Sequence, residues 1–193
     1  MKALVIFDSR YGNTEKIAYA IGDGLAEGFG ASGSVRVLPI CEAHADQLAG
    51  WDLWIVGAPT HGSHPSPPMR EFLDRIPKDA LAGVQVAAFD TRTDIDTLNG
   101  AMRLFGKFLD LLGYAAPKIS SSLEARGGQV VRPPEGFIVE DKEGPLREGE
   151  LERAVAWGRQ IVVGRLVRRQ PFRRPTIKPG SVRSLPVGPG AAS

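Results

Sequence analysis

The chain of 193 residues has a single cysteine, Cys41, so no intramolecular disulfide can form. That usage fits a reducing compartment, and the expected setting is the cytoplasm. Long hydrophobic runs are missing too. Lys2 is followed by only five apolar residues before Asp8, too few for a leader peptide, and no stretch approaches the roughly 20 apolar residues that span a bilayer. A metal set is also lacking: Cys41 and His44 have a loose ligand-like spacing, but nothing nearby completes it. Acid is absent from the whole C-terminal stretch, with no Asp or Glu after Glu152. Residues 165–193 carry seven basic side chains, which leaves 17 basic against 22 acidic residues in the body. The overall charge of +2 is thus a body of −5 joined to a tail of +7.

What is present is a globular composition, 42% hydrophobic, long enough for one domain with a real core. Apolar strand candidates alternate with helical stretches, a pattern that predicts a parallel sheet with helices on both faces. The strands read as Lys2–Phe7, Val35–Ile40, Leu53–Gly57 and Val84–Phe89. A fifth, interrupted by Pro133 and Pro134, covers Val130–Val131 and Phe137–Val139. Helices are expected over about Asn13–Glu27, Met69–Ile76, Thr97–Leu112, Pro117–Ala125 and Glu148–Val167. The first should bury Ile17, Ala20, Ile21 and Leu25; the last offers Leu151, Val155, Ile161, Val162 and Leu166. Trp51 and Trp54 flank or lie within a strand and are expected in the core. Beyond residue 168 the helical pattern stops, and five prolines with a Gly/Ala/Ser ending predict a disordered basic tail over 169–193. A solvated extension is the simplest role for that tail, docking on an acidic partner the main alternative; specific nucleic-acid binding is not expected.

The first strand runs into Ser9-Arg10-Tyr11-Gly12-Asn13-Thr14, a glycine turn rich in hydroxyl and amide groups that opens a helix. A helix start presents unpaired N–H groups and partial positive charge, which suits a phosphate. Glu15 stands where a nucleoside-triphosphate loop needs its Lys-Ser/Thr pair, and Gly12 alone cannot make a dinucleotide fingerprint. A turn sized for one monoester phosphate is left. In an open parallel sheet, ligands sit beyond the carboxyl ends of the strands where strand order reverses. Three loops are expected to gather there: Ser9–Thr14, Ala58–His64 and Asp90–Asp94.

Residues 2–166 resemble the flavodoxin family, in which Ser9, Gly12 and Thr14 match a Ser/Thr-x-Ser/Thr-Gly-x-Thr phosphate loop. Tyr11 departs from the family's aliphatic hydroxyl position. Tyr11-Gly12-Asn13-Thr14-Glu15-Lys16, Gly57-Ala58-Pro59-Thr60, Glu143-Gly144-Pro145-Leu146 and Glu148-Gly149-Glu150-Leu151 add to the likeness. The resemblance implies a doubly wound five-stranded sheet of order 2-1-3-4-5 spanning residues 1–168, an FMN cofactor and a redox role. It also implies FMN contacts from Ser9, Arg10, Tyr11, Gly12, Asn13, Thr14, Pro59, Thr60, His61, Gly62, Asp90, Thr91 and Arg92. No catalytic nucleophile or acid–base pair is expected.

Electron carriers of this family usually sandwich the flavin ring between aromatics, whereas the second loop here offers His61 and His64 and the third offers Arg92. Arg92 is expected to stack on the ring through its guanidinium plane or to bond its pyrimidine edge. A positive charge about 5 Å from a reduced, anionic flavin would favour it by about 3 kcal/mol at an effective dielectric near 20. His61 and His64 are expected to divide between a flavin contact and solvent rather than to bind metal. The leading reading is a carrier between redox partner proteins. Two rivals stand beside it: a small FMN-dependent reductase or oxidase of a quinone or protoporphyrinogen, and a flavin-free interaction module.

Overall fold

In a computed structural model, residues 1–44, 47–93 and 113–169 are described, with side chains as far as residue 164. The expected helix at 97–112, Asp94 and the segment from 170 onward lie outside the described residues. The sheet begins with β1 (Lys2–Phe7), followed by α1 (Asn13–Phe29) and β2 (Ser34–Pro39). Then come β3 (Leu53–His61), the two-residue β4 (His64–Pro65), α2 (Pro67–Arg75) and β5 (Gln85–Thr93). The chain closes with α3 (Ala115–Glu124), β6 (Gln129–Val130), β7 (Glu135–Val139) and α4 (Glu150–Arg169).

β1 lies between β2 and β3, all parallel, and β3 pairs in parallel with β5. β6 and β7 pair with successive parts of β5, Gln85↔Gln129 at one end and Thr93↔Val139 at the other. They form one interrupted edge strand, broken where Pro133 and Pro134 cannot donate to the ladder. Counting that pair as one strand and setting aside β4, the order is the expected 2-1-3-4-5.

Both faces of the sheet are covered, so the strands read as apolar runs instead of alternating patterns. The two-residue period sends Val5, Phe7, Ile55, Ala87 and Phe89 toward α1 and α4, where they meet Ile17, Ile21, Leu25, Trp157 and Ile161. Leu4, Ile6, Trp54, Val56 and Ala88 go the other way, onto Met69, Phe72, Ile119 and Leu123. The expected face of α1 is buried as read, Ala20 included, and Trp54 is core. Trp51 packs at the edge of the second cluster and donates its indole N–H to Gln47 O at 2.7 Å.

Two expectations need correction. Leu151 is exposed, because α4 meets α1 through Ala154, Trp157 and close-approach glycines. β3 and β5 also run past their expected ends, through His61 and Thr93, because Ala58-Pro59 continues to pair with Asp90-Thr91. Asp90, Thr91 and Arg92 are therefore strand residues rather than a loop.

Candidate functional site

The chain leaves β1 outward to β2 and returns to β3, so order reverses beside the carboxyl ends of β1 and β3. A cavity of about 460 Å³ opens there, within the range of small-molecule sites. Asp8–Tyr11, Asn13 and Thr14 form one wall; Pro59–His61 and Ser66–Pro68 form another. Thr91–Thr93, Val139 and Lys142 complete it. A larger hollow of about 710 Å³ lies between the turn at Ile40–Ala43 and α2 and shares only Pro68 with the first. Among the described residues no hydroxyl side chain lines it, whereas the smaller cavity combines hydroxyls with Arg10, Arg92 and Lys142 against one carboxylate, Asp8.

Gly12 is the N-cap of α1 with φ +79, a left-handed conformation that L side chains rarely adopt. An added Cβ would meet nothing within 4 Å, so the dihedral rather than crowding requires glycine. Gly12 shapes the turn without lining the cavity. Lys16 N bonds Gly12 O at 3.1 Å, which leaves the N–H groups of Asn13, Thr14 and Glu15 outside the helical ladder. Glu15 N reaches Ser9 Oγ at 3.3 Å. The Thr14 hydroxyl is buried 2.8 Å from that of Thr91, tying the start of α1 to β5.

The second wall is a hairpin. His61 and His64 face each other across Gly62 and Ser63, which have φ +53 and +64. Two successive positive φ values suit a tight two-residue hairpin turn. His61 lines the cavity, while Gly62 sits at the turn and does not. The exposed His64 places Nδ1 2.9 Å from Gly62 O.

Position along β5 decides what the strand contributes: Thr91, Arg92 and Thr93 at its end line the cavity, and Asp90 before them does not. Asp90 points away from the cavity and is fully buried. Its carboxylate accepts Ala116 N at 2.8 Å, Arg92 Nε at 2.7 Å and a bond from Thr60. Thr60 Oγ1 in turn accepts Ala115 N at 3.0 Å. Asp90 and Thr60 therefore cap α3 from the neighbouring strands, instead of touching a ligand through Asp90 as expected. Burial pushes the Asp90 carboxyl above its ordinary range, and the Arg92 charge opposes that shift.

Arg92 does line the cavity, but its orientation differs from expectation. Its guanidinium carbon lies 3.6 Å from the centroid of the Tyr114 ring, and a Cβ on Gly136 would strike its Nη2. The stacking face is thus occupied by the protein's own tyrosine, and an edge is left for a ligand. Sequence reading missed this aromatic because Tyr114 follows β5 by twenty-odd positions.

Lys142 was also missed. Asn13 Nδ2 donates to Glu143 O at 2.9 Å, a contact between residues 130 positions apart. Together with Glu140 N to Pro145 O at 2.9 Å and Arg147 N to Ile138 O at 3.0 Å, it folds the loop after β7 back over the start of α1. That fold-back puts Lys142 at the cavity. No local motif announces it.

The family model for flavodoxin matches residues 5–157. The chain belongs to the flavodoxin family. Its fold is shared with a flavodoxin from the domain Archaea, at 23% identity and a TM-score of 0.61 over 84% of this chain and 97% of that one. Flavodoxin 1 from Bacillus cereus is similar at 22% identity and a TM-score of 0.62, over 84% of this chain and 98% of that one. The rubredoxin:oxygen oxidoreductase of Desulfovibrio gigas matches 86% of this chain with 36% of its own, at 18% identity and a TM-score of 0.60. Flavodoxins bind FMN and exchange electrons with redox partner proteins. Among the described residues of this flavodoxin no helix is long and apolar enough to cross a membrane. The donor set suits FMN: a helix start and hydroxyls for a monoester phosphate, and a cavity with convergent polar groups for the rest.

Proposed function

We propose that this flavodoxin is an electron carrier between protein partners, with FMN held across the cavity at the carboxyl ends of β1, β3 and β5. One observation carries the reading: the phosphate turn, the histidine hairpin and Arg92 line the same cavity. Ser9–Thr14 take the phosphate at the start of α1, with Arg10 and Lys142 adding positive charge. Pro59, Thr60 and His61 flank the ring on one side, and Thr91 and Arg92 approach it from β5. Gly12 and Gly62 act by shaping their turns. Bound FMN supplies the one- and two-electron chemistry, and the protein positions and tunes it.

Arg92 tunes less than a lone charge would. Asp90 lies 2.7 Å from Arg92 Nε, so from a distance the pair is nearly neutral. The full 3 kcal/mol estimated for an isolated cation near 5 Å does not apply. Removing Arg92 takes a cation from the cavity, so Arg92→Met is expected to lower the flavin midpoint potential. Potentiometry of the reconstituted protein checks this, and an unchanged potential would remove Arg92 from the tuning.

Absorbance and fluorescence during FMN titration of the purified full chain test the reading directly. Tight one-to-one uptake supports it, and a protein that stays colourless overturns it in favour of a flavin-free interaction module. NAD(P)H oxidation with a quinone or protoporphyrinogen by the loaded protein alone would replace the carrier with a reductase or oxidase.

A further inference from the structure

Ser66 occupies the N-cap of α2 yet makes no side-chain cap hydrogen bond. The next residues explain why. A capping oxygen accepts the N–H of the second or third helical residue. Here the first two are Pro67 and Pro68, which carry none. The nearest remaining donor is the Met69 amide, and the serine does not use it. Ser66 is nonetheless 7% exposed, and its Oγ has no hydrogen-bond partner among the described residues. The same residue lines the cavity opposite Ser9, Arg10 and Thr14. A buried hydroxyl lacking both a donor and an acceptor is a rare and costly arrangement, and the cavity is the place where a partner can arrive. The positive end of the α2 dipole favours an oxygen-rich partner there.

We propose that the Ser66 hydroxyl is a further ligand-binding group of this cavity, bonding an oxygen of the FMN ribityl–phosphate chain. The Ser-Pro-Pro sequence frees the hydroxyl for this use by withdrawing the helix donors it would otherwise satisfy. The inference rests on the FMN reading and extends it to a wall of the cavity that the phosphate motif does not reach. A ribityl hydroxyl would satisfy both the donor and acceptor capacities of the serine, and a phosphate oxygen would accept from it.

The test compares wild type and Ser66→Ala full-length protein by titration with FMN and with riboflavin, alongside thermal unfolding without flavin. Ser66→Gly, which retains a good N-cap residue, replaces the alanine variant if that one does not fold. Loss of the hydroxyl is expected to weaken FMN binding about 3- to 10-fold. The flavin-free Tm should stay level or rise, because an unsatisfied group has been removed. Equal weakening for riboflavin assigns the bond to the ribityl chain, and weakening for FMN alone assigns it to the phosphate. Unchanged FMN affinity overturns the proposal and leaves the FMN reading standing. So does a flavin-free Tm that falls in step with the affinity, since that would make Ser66 a structural group. A wild-type protein that takes up no flavin overturns the FMN reading and this inference together.

Discussion

Asp90 shows how one buried carboxylate serves both stability and the site. Burial raises its pKa from 3.8, with Arg92 and the Ala116 amide pulling the other way. An acid whose folded pKa lies above its unfolded value holds its proton more tightly when folded. Its contribution is therefore lost as pH rises from about 4 through the folded pKa. Arg92→Met removes the charge that makes ionised Asp90 tolerable and is expected to cost about 3 kcal/mol near pH 7. Urea unfolding at pH 5 and pH 8 checks the sign: the gap to wild type should widen at the higher pH, and a constant gap would mean that Asp90 carries no such burden. Lys142 is a different kind of residue, exposed at the cavity rim. Lys142→Ala should weaken FMN about 2- to 5-fold, leave riboflavin unaffected and lose most of its effect in 1 M salt. Equal losses for both flavins would place Lys142 away from the phosphate.

At the scale of elements, the contact between α1 and α4 depends on missing side chains. A Cβ on Gly24 would lie 2.1 Å from Val155 O, one on Gly158 2.5 Å from Ile21 O, and one on Gly28 2.9 Å from Val162 Cβ. Backbone therefore meets backbone, and Trp157 and Ile161 reach the core beside Phe137. Gly24→Ala is expected to cost about 2–3 kcal/mol in urea unfolding, because a carbonyl oxygen cannot move aside as a flexible side chain can. Gly164 in α4 supplies the control: nothing lies within 4 Å of its added Cβ. Gly164→Ala should gain about 0.5–1 kcal/mol from helix propensity. Equal effects at the two positions would remove close helix approach as the explanation. The hairpin of β3 and β4 and the loop after β7 are the other decisive elements, since each swings a polar group over the end of the sheet.

For the whole molecule, the cavity couples ligand binding to global stability, because its walls come from the turn after β1, from β3, β5, β7, α1 and α2, and from the loop after β7. FMN at 100 times its Kd should stabilise the fold by about 2.7 kcal/mol. At about 2–4 °C per kcal/mol for a chain of this size, Tm should rise by about 5–11 °C. A differential scan with and without FMN measures it; no rise at saturating FMN would contradict a cavity built into the fold. The charge division belongs to this scale as well, a body of −5 and a tail of +7. Contacts of the tail with an acidic partner would weaken with salt.

Much of the fold was legible because apolar runs and their spacing are local properties. Lys2–Phe7, the buried face of α1 and the interrupted strand around Pro133-Pro134 could all be read from neighbours in sequence. The glycine turn that opens α1 was legible for the same reason, since Ser9, Gly12 and Thr14 belong to one helical start. Asp90 lies buried under the start of α3 rather than at the cavity, and that became visible only once β5 was known to continue through Thr93. Tyr114 over Arg92, Lys142 beside the turn at Ser9–Thr14 and the place of Ser66 in the same cavity depend on residues brought together from distant parts of the chain. By itself the sequence determined a parallel α/β domain with a glycine turn opening its first helix, because helix starts and buried strands obey short-range rules. Only the tertiary structure decided which side chains line the cavity, because that depends on sheet register, on the loop returning over α1 and on the start of α3 that Asp90 and Thr60 hold.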